Sequence, residues 1–352
     1  MSLAFRFLGK IYLKYFSILL LALEGFYVGI DLLKFAEDLP SSANLVVLFV
    51  FYDALYALGF MLPIALILAQ ILFIVVLVRT GEFTALLSLG YSQKSISLPV
   101  LLLSLFFTFL FIISNSTSFA YAEEKVDSLL DKGYIGSFKR ELFVKYNDSY
   151  VFFEKIYPLL QKAENVKVYT LRGGQLAEFF EAKEAHFMEN HWQLINVRSM
   201  KLPEALELGK TPLKVEKFAH MEILEGFRPR ILDSIYEQHG SVSIIDALES
   251  LILLKEQQLN SQKIRGIFYS LALFPFFAPL CMVFIARYMP ITARYGNLAS
   301  STLIAILGAL LTWGIFFALS RLSMSGFIQP EASLLLPLAL FAGSSIWIWR
   351  RL

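Results

Sequence analysis

The chain has 352 residues, 57% of them hydrophobic and only 17% charged, with 33 Phe and a formal net charge of +2. So apolar a composition exceeds what one water-soluble core buries, and the near-balanced charge leaves no footprint for nucleic acid or an acidic partner; the bilayer has to be part of the solvent. The lone cysteine, Cys281, excludes a disulfide framework and thiolate metal chemistry.

Stretches of roughly 20 apolar residues mark candidate spans. The run after Lys14 lacks a small-residue cleavage site and reads as a retained span from about Tyr15 to Ile30, interrupted by Glu24. A second span lies between Asp53 and Arg79 with Pro63 inside it. The apolar residues 41–53 before it are expected to form a separate interfacial or periplasmic approach segment, because one helix over both would exceed a bilayer. Next, Thr80 is expected to cap a short helix beginning at Gly81, with Glu82 in its first turn, Phe83, Leu86 and Leu87 as apolar positions and Gly90 as its stop. Ser92 then caps the third span, which lies between Lys94 and Glu123. The short helix is either an ordinary interfacial turn or an element that docks into a groove on a soluble partner.

From Glu141 the pattern shifts to short alternating runs. Leu142 to Tyr146 and Ser149 to Phe153 flank Asn147-Asp148 as a hairpin; Val166 to Tyr169 precedes Arg172-Gly173-Gly174; Leu176 to Ala182 follows, and Glu189-Asn190 separates Ala185-His186-Phe187 from Trp192 to Ile195. This spacing predicts a small sandwich or open jelly roll. Ser243-Ile244-Ile245-Asp246 is a capping box opening a helix, with Ile245, Leu248, Leu251 and Ile252 on one face up to about Gln262, expected on or beside the outer membrane surface. Three further spans follow: Arg265 to Arg287, with Pro275 and Pro279 weakening one face, Arg294 to Arg321, and Glu331 to Arg350. The fold class is therefore membrane α-helical, about six spans arranged three and three, with an inserted all-β jelly-roll-like domain. Its expected divisions are 1–133, 134–236 and 237–352, the short helix falling near 81–89.

Lys and Arg set the orientation. Arg6, Lys10, Lys14, Arg79, Lys94, Arg287, Arg294, Arg350 and Arg351 fall on one side, which is cytoplasmic and holds both termini; the β domain is then on the outside. Gly9-Lys10 and Gly209-Lys210 lack the earlier glycine of a phosphate-binding loop, so any driving ATP is used by another subunit. His186 and His191 do not alternate onto one metal, and no serine elbow, Cys-His pair or close carboxylate pair suggests an enzyme. Glu24, Tyr27, Asp31 and Lys34 recur at three- and four-residue steps, charging one face of the first span; intramembrane charge points to function, although Asp31 and Lys34 also suit simple interfacial snorkelling.

The three-plus-three plan and the segment Arg79-Thr80-Gly81-Glu82-Phe83-Thr84-Ala85-Leu86-Leu87-Ser88-Leu89-Gly90-Tyr91-Ser92 resemble the lipopolysaccharide-transport permeases of the LptF/LptG family, over nearly the whole chain. Gly9-Lys10, Lys34-Phe35-Ala36-Glu37-Asp38-Leu39, Leu142-Phe143-Val144-Lys145 and Tyr150-Val151-Phe152-Phe153-Glu154 are more similar to the G subunit than to the F subunit. The resemblance implies a permease of the bacterial inner membrane that pairs with a second LptF/LptG-type permease. It also implies a cytoplasmic LptB-like ATPase dimer, contacted by Glu82, Phe83 and Leu86, and an LptC-like membrane-anchored bridge protein that receives the lipid in the periplasm. The first and fifth spans would line a lateral gate, with Lys34, Tyr27, Asp31, Trp313 and Phe317 on the lipid. This chain itself would bind no cofactor. Two other plans fit part of the pattern: an FtsX- or MacB-like permease, which has one span before its external domain and three after, and a membrane-anchored periplasmic scaffold or sensor.

Overall fold

The computed structural model describes residues 3–132, 139–146, 149–157, 160–172, 175–189, 191–202, 214–225, 227, 241–256, 261–292 and 297–352. The chain opens with α1 (Leu3–Lys34), α2 (Ala43–Arg79), the short α3 (Glu82–Ser88), α4 (Gln93–Ser114) and α5 (Ala122–Lys132). Six strands follow, β1 (Lys139–Tyr146), β2 (Ser149–Tyr157), β3 (Lys162–Arg172), β4 (Gln175–Met188), β5 (His191–Lys201) and β6 (Lys214–Ile223). The chain returns through α6 (Ile244–Glu256), α7 (Gln262–Ala272), α8 (Phe277–Tyr288), α9 (Leu298–Ser325) and α10 (Leu336–Arg350). Among the described residues, six helical stretches are long and apolar enough to cross a membrane: α1, α2, α4, the broken rod α7–α8, α9, and a π-helical turn at Glu331–Leu335 running into α10. The expected three-and-three plan is present. The expected boundaries near 133 and 236, the Asn147-Asp148 and Gly173-Gly174 turns, Asn190, Gly209-Lys210 and Arg294 lie outside the described residues.

α2 corrects one expectation. Residues 43–53 are not a separate approach but the first turns of a single 37-residue helix, roughly 55 Å long against a hydrocarbon layer of roughly 30 Å. No Gly or Pro interrupts them, and the surplus length stands at the β-domain end, where Phe49 packs with Val126 and Leu129 of α5. α2 is also the hub: 72% of its most apolar window is buried, against 11% for α1 and for α9. Tyr12 donates to the Leu66 carbonyl at 3.2 Å and the Gln70 amide to the Met282 carbonyl at 2.9 Å, tying α1 and α8 to this hub. The Gln93 amide also donates to the Ala286 carbonyl, joining α4 to α8.

The fourth span breaks where Pro275 predicts, at a 3₁₀ turn, Phe274–Phe276, between α7 and α8. α7 lies hard against α9 at Gly266, where an added Cβ would meet the Ser323 carbonyl oxygen at 1.9 Å. Cations capped by aromatic rings mark both ends of the bundle. One end has Arg351 over Trp347 at 3.6 Å and Lys94 over Trp349 at 5.4 Å; the β-domain end has Lys34 over Phe35 at 4.2 Å, Lys125 over Tyr52 at 4.6 Å and Arg321 over Phe317 at 5.2 Å. Such pairs suit the two interfaces of a bilayer.

The β domain is one antiparallel sheet with its strands in chain order, β1 to β6. β4 joins two runs read from sequence as separate, and β6 gave no sequence signal. A transverse crease crosses every strand. Glu141, Asn165 and Asn196 have positive φ (55°, 50° and 55°), and the ladder skips one row from Glu141 through Glu154, Asn165 and Lys183 to Asn196. Across this row the inward positions change phase, so that Phe153 and Ile156, Ala163 and Val166, Ala182 and Ala185, and Leu194 and Val197 are buried three apart instead of two. Left-handed backbone at a residue other than glycine costs about 1–2 kcal/mol, least for Asn, and Asn165 also donates to Glu154 at 2.8 Å. The crease bends the sheet over its own apolar face, filled by Phe153, Trp192 and Phe187 and closed by Phe227, whose carbonyl accepts from the Trp192 indole at 2.7 Å.

Candidate functional site

The charged face expected on α1 meets a partner face on α2. Glu24, Tyr27, Asp31 and Lys34 lie along one side of α1, and Asp53 and Tyr56, one turn apart on α2, come within electrostatic reach of them. Asp53 is 1% exposed and lies against the Asp31 carboxyl, with no amide, hydroxyl or cationic donor on either of its carboxylate oxygens among the described residues; the Glu24 Oε1 is likewise buried and unpartnered. Three carboxylates thus share this cleft with one ammonium, Lys34, whose head rests over the Phe35 ring. An acid buried without donors costs stability that its uncharged isostere avoids. Asp53→Asn is therefore expected to raise stability by about 1 kcal/mol or more, read as a higher melting temperature in detergent; a clear drop would mean that the carboxylate is held by contacts the isostere cannot make.

From this cleft α2 leads to α9. The Tyr56 hydroxyl donates to Glu123 Oε1 at 3.1 Å, and Phe60 meets Phe317 edge-on with ring centres 5.9 Å apart. Phe317 stacks on Trp313 at 5.3 Å and also carries the Arg321 guanidinium, 5.2 Å from its ring centre. A cavity of about 190 Å³ opens here, with Tyr56, Glu123 and Arg321 as polar lining and Phe60, Phe111 and Phe317 as aromatic wall. Arg321 makes no ion pair among the described residues and shares the cavity wall with the Glu123 carboxylate, so the lining offers a guanidinium beside an acid.

The residues expected on lipid therefore form two groups, not one. Tyr27, Asp31 and Lys34 lie on α1, which packs on α2 and α4; Trp313 and Phe317 lie on α9, which packs on α2 and α7. α2 stands between the groups. Trp313 faces Ile64, Ile67 and Leu68 of α2, its indole N–H buried without an acceptor. Sequence reading passed over Asp53 and Arg321 as site residues because both were used to mark span ends. The available signal was a charge at the edge of an apolar run, which does not reveal whether the side chain turns inward.

At the opposite end, α3 folds on backbone geometry. Thr80, expected to cap it, instead closes α2 by donating to the Val76 carbonyl at 3.0 Å; Gly81, at φ 75°, makes the corner. Gly90, at φ 87°, ends α3 with Gly90 N donating to Leu87 O at 3.0 Å and Tyr91 N to Leu86 O at 3.1 Å, a Schellman pair. Ser92 accepts from Ser95 N at 3.2 Å and caps α4, as its sequence predicts. Phe83 is 3% exposed and belongs to the main apolar core, with Leu86 and Leu87 partly buried against it. The outward face carries Thr84, Ala85 and Ser88, continued by Leu89, which is 75% exposed. Glu82 is half-buried, with one carboxylate oxygen inaccessible and unpartnered.

Six spans in two halves around a β insert, with polar residues gathered at the β-domain end and a short helix at the other, define a multi-pass membrane protein. The chain belongs to the family described as the lipopolysaccharide export system permease LptF/LptG, whose family model matches residues 6–351. It is thus a permease component of a lipopolysaccharide export system of the ABC type, a family of non-catalytic transporter parts. A search of curated proteins finds no match.

Proposed function

We propose that the chain is the G-type permease of an inner-membrane lipopolysaccharide exporter. It pairs with a second permease of the same family, couples through α3 to a separate cytoplasmic ATPase and passes lipid to a membrane-anchored periplasmic bridge protein. The observation that carries this reading is the exposure of α1 and α9: the spans that bear the cations Lys34 and Arg321 bury few of their residues, while α2 is enclosed. A helix pair that flanks a shared lipid cavity needs such uncovered surface. The two cations suit the phosphates of a lipid head group, and the Phe317, Trp313 and Tyr27 rings suit its acyl chains. Orientation follows from Arg6, Lys10, Lys14, Arg79, Lys94, Arg287, Arg350 and Arg351, which gather at the end away from the β domain and make that end cytoplasmic. ATP is used by the partner, and this chain supplies no cofactor site.

Purification from native membrane in mild detergent tests the reading. A second six-span permease, a soluble ATPase and lipopolysaccharide should accompany the chain; recovery alone, or with periplasmic proteins only, would favour a scaffold. Lys34→Glu combined with Arg321→Glu should lower the co-purified lipopolysaccharide at least about tenfold, since two charge-assisted contacts together exceed the roughly 1.4 kcal/mol that a factor of ten represents, and leave the ATPase in place. Undiminished lipid would remove both residues from the lipid path.

A further inference from the structure

α6 is fixed on one side and bare on the other. Its capping box is reciprocal, Ser243 N donating to Asp246 Oδ2 and Asp246 N to Ser243 Oγ, each at 3.1 Å. Ile244 N donates to the Asn115 carbonyl at 3.0 Å, the residue that follows the last turn of α4, and the Tyr121 hydroxyl donates to Asp246. On this side Ile244 and Ala247 are buried, and Ala247 packs with Val242 and with Ile264 and Ile267 in the first turns of α7. The opposite side shows Ile245, Leu248 and Ile252 at 47%, 44% and 62% exposure. These follow i, i+3, i+7 spacing, one stripe of a helix. The stripe expected from sequence to include Leu251 is split, because Leu251 turns toward α7.

Position decides what covers the stripe. α6 begins at the end of one span, α4, and packs on the beginning of another, α7, so it lies at the level where the bilayer ends. The exposed ridge of α4, Phe106, Phe109, Leu110 and Ile113, runs up to the Asn115 carbonyl that receives α6. The α6 stripe thus starts beside the end of an exposed apolar ridge on a span. Close by, the turn after Gly326, which packs on Lys263 of α7, holds out Phe327 and Ile328.

We propose that α6 lies flat in the interfacial layer of the bilayer at the β-domain end, with Ile245, Leu248 and Ile252 among the lipid chains. Amphipathic helices hold this position through buried apolar area, at shallow depth. The inference needs only a membrane protein, so it stands or falls apart from the lipopolysaccharide reading.

The test uses the full chain in lipid nanodiscs, with Cys281→Ala to remove the native thiol and a single reporter at Leu248→Cys or, separately, Ile252→Cys, each labelled with bimane. Nitroxide lipids labelled near the head group should quench both reporters at least about twofold, nitroxides at the chain terminus should quench them less, and aqueous iodide only weakly. Strong iodide quenching without lipid quenching would put the stripe in water, and protection from both would put it under protein; either result overturns the proposal. Agreement between the two positions guards against a local distortion at one of them.

Discussion

Gly266→Ala is expected to destabilise the protein by about 3 kcal/mol, in the upper range for forced overpacking, and to reduce its yield from membranes. The new methyl would lie 1.9 Å from the Ser323 oxygen and 2.6 Å from the Ser323 carbon, and both are backbone atoms that cannot rotate aside. α7 would have to withdraw from α9, losing the neighbouring bond from Ser270 to the Ser320 carbonyl at 3.3 Å. Gly308 on α9 is the internal control. An added Cβ there meets nothing within 4 Å, so Gly308→Ala should be neutral or stabilise by up to about 1 kcal/mol through helix propensity alone. Thermal unfolding in one detergent compares them, and equal melting temperatures would show that the close approach of α7 and α9 yields without cost.

The second large effect is a contrast on α3. Phe83→Ala removes a core anchor and should cost about 3–5 kcal/mol, loosening α3 and with it the proposed ATPase contact. Leu89→Asp alters a residue that is 75% exposed and should leave the melting temperature within about 0.5 kcal/mol of the parent. It should nevertheless lose the ATPase on co-purification, because a charge replaces an apolar contact at a docking surface. Glu82→Ala should weaken the same contact. If Leu89→Asp and Glu82→Ala both retain the ATPase, α3 is a structural turn. If Phe83→Ala melts like the parent, the buried ring is not what holds α3 in place.

Hydropathy and charge marked six spans, a β insert between the halves, and the caps at Ser92 and Ser243, because each depends on a few residues in sequence: apolar length, alternation, or a side chain one turn from a backbone N–H. They also placed the charged face of α1. Which surface of each span turns inward was a matter for the tertiary structure. α2 and α9 are both apolar on all sides, yet α2 is enclosed and α9 exposed. Lipid and protein interior are equally apolar, so the hydrophobic pattern that separates inside from outside in water carries no such contrast here. The same ambiguity hid Asp53 and Arg321 behind their use as span boundaries, gave no sign that Phe83 is buried in the main core, and left Gly266 looking like any helix glycine until α9 was laid against it. The crease of the β sheet was hidden for a different reason. Only when the strands pair do Glu141, Asn165 and Asn196 fall in one row, and the spacing of three between Ala182 and Ala185 breaks the period of two by which strands are recognised.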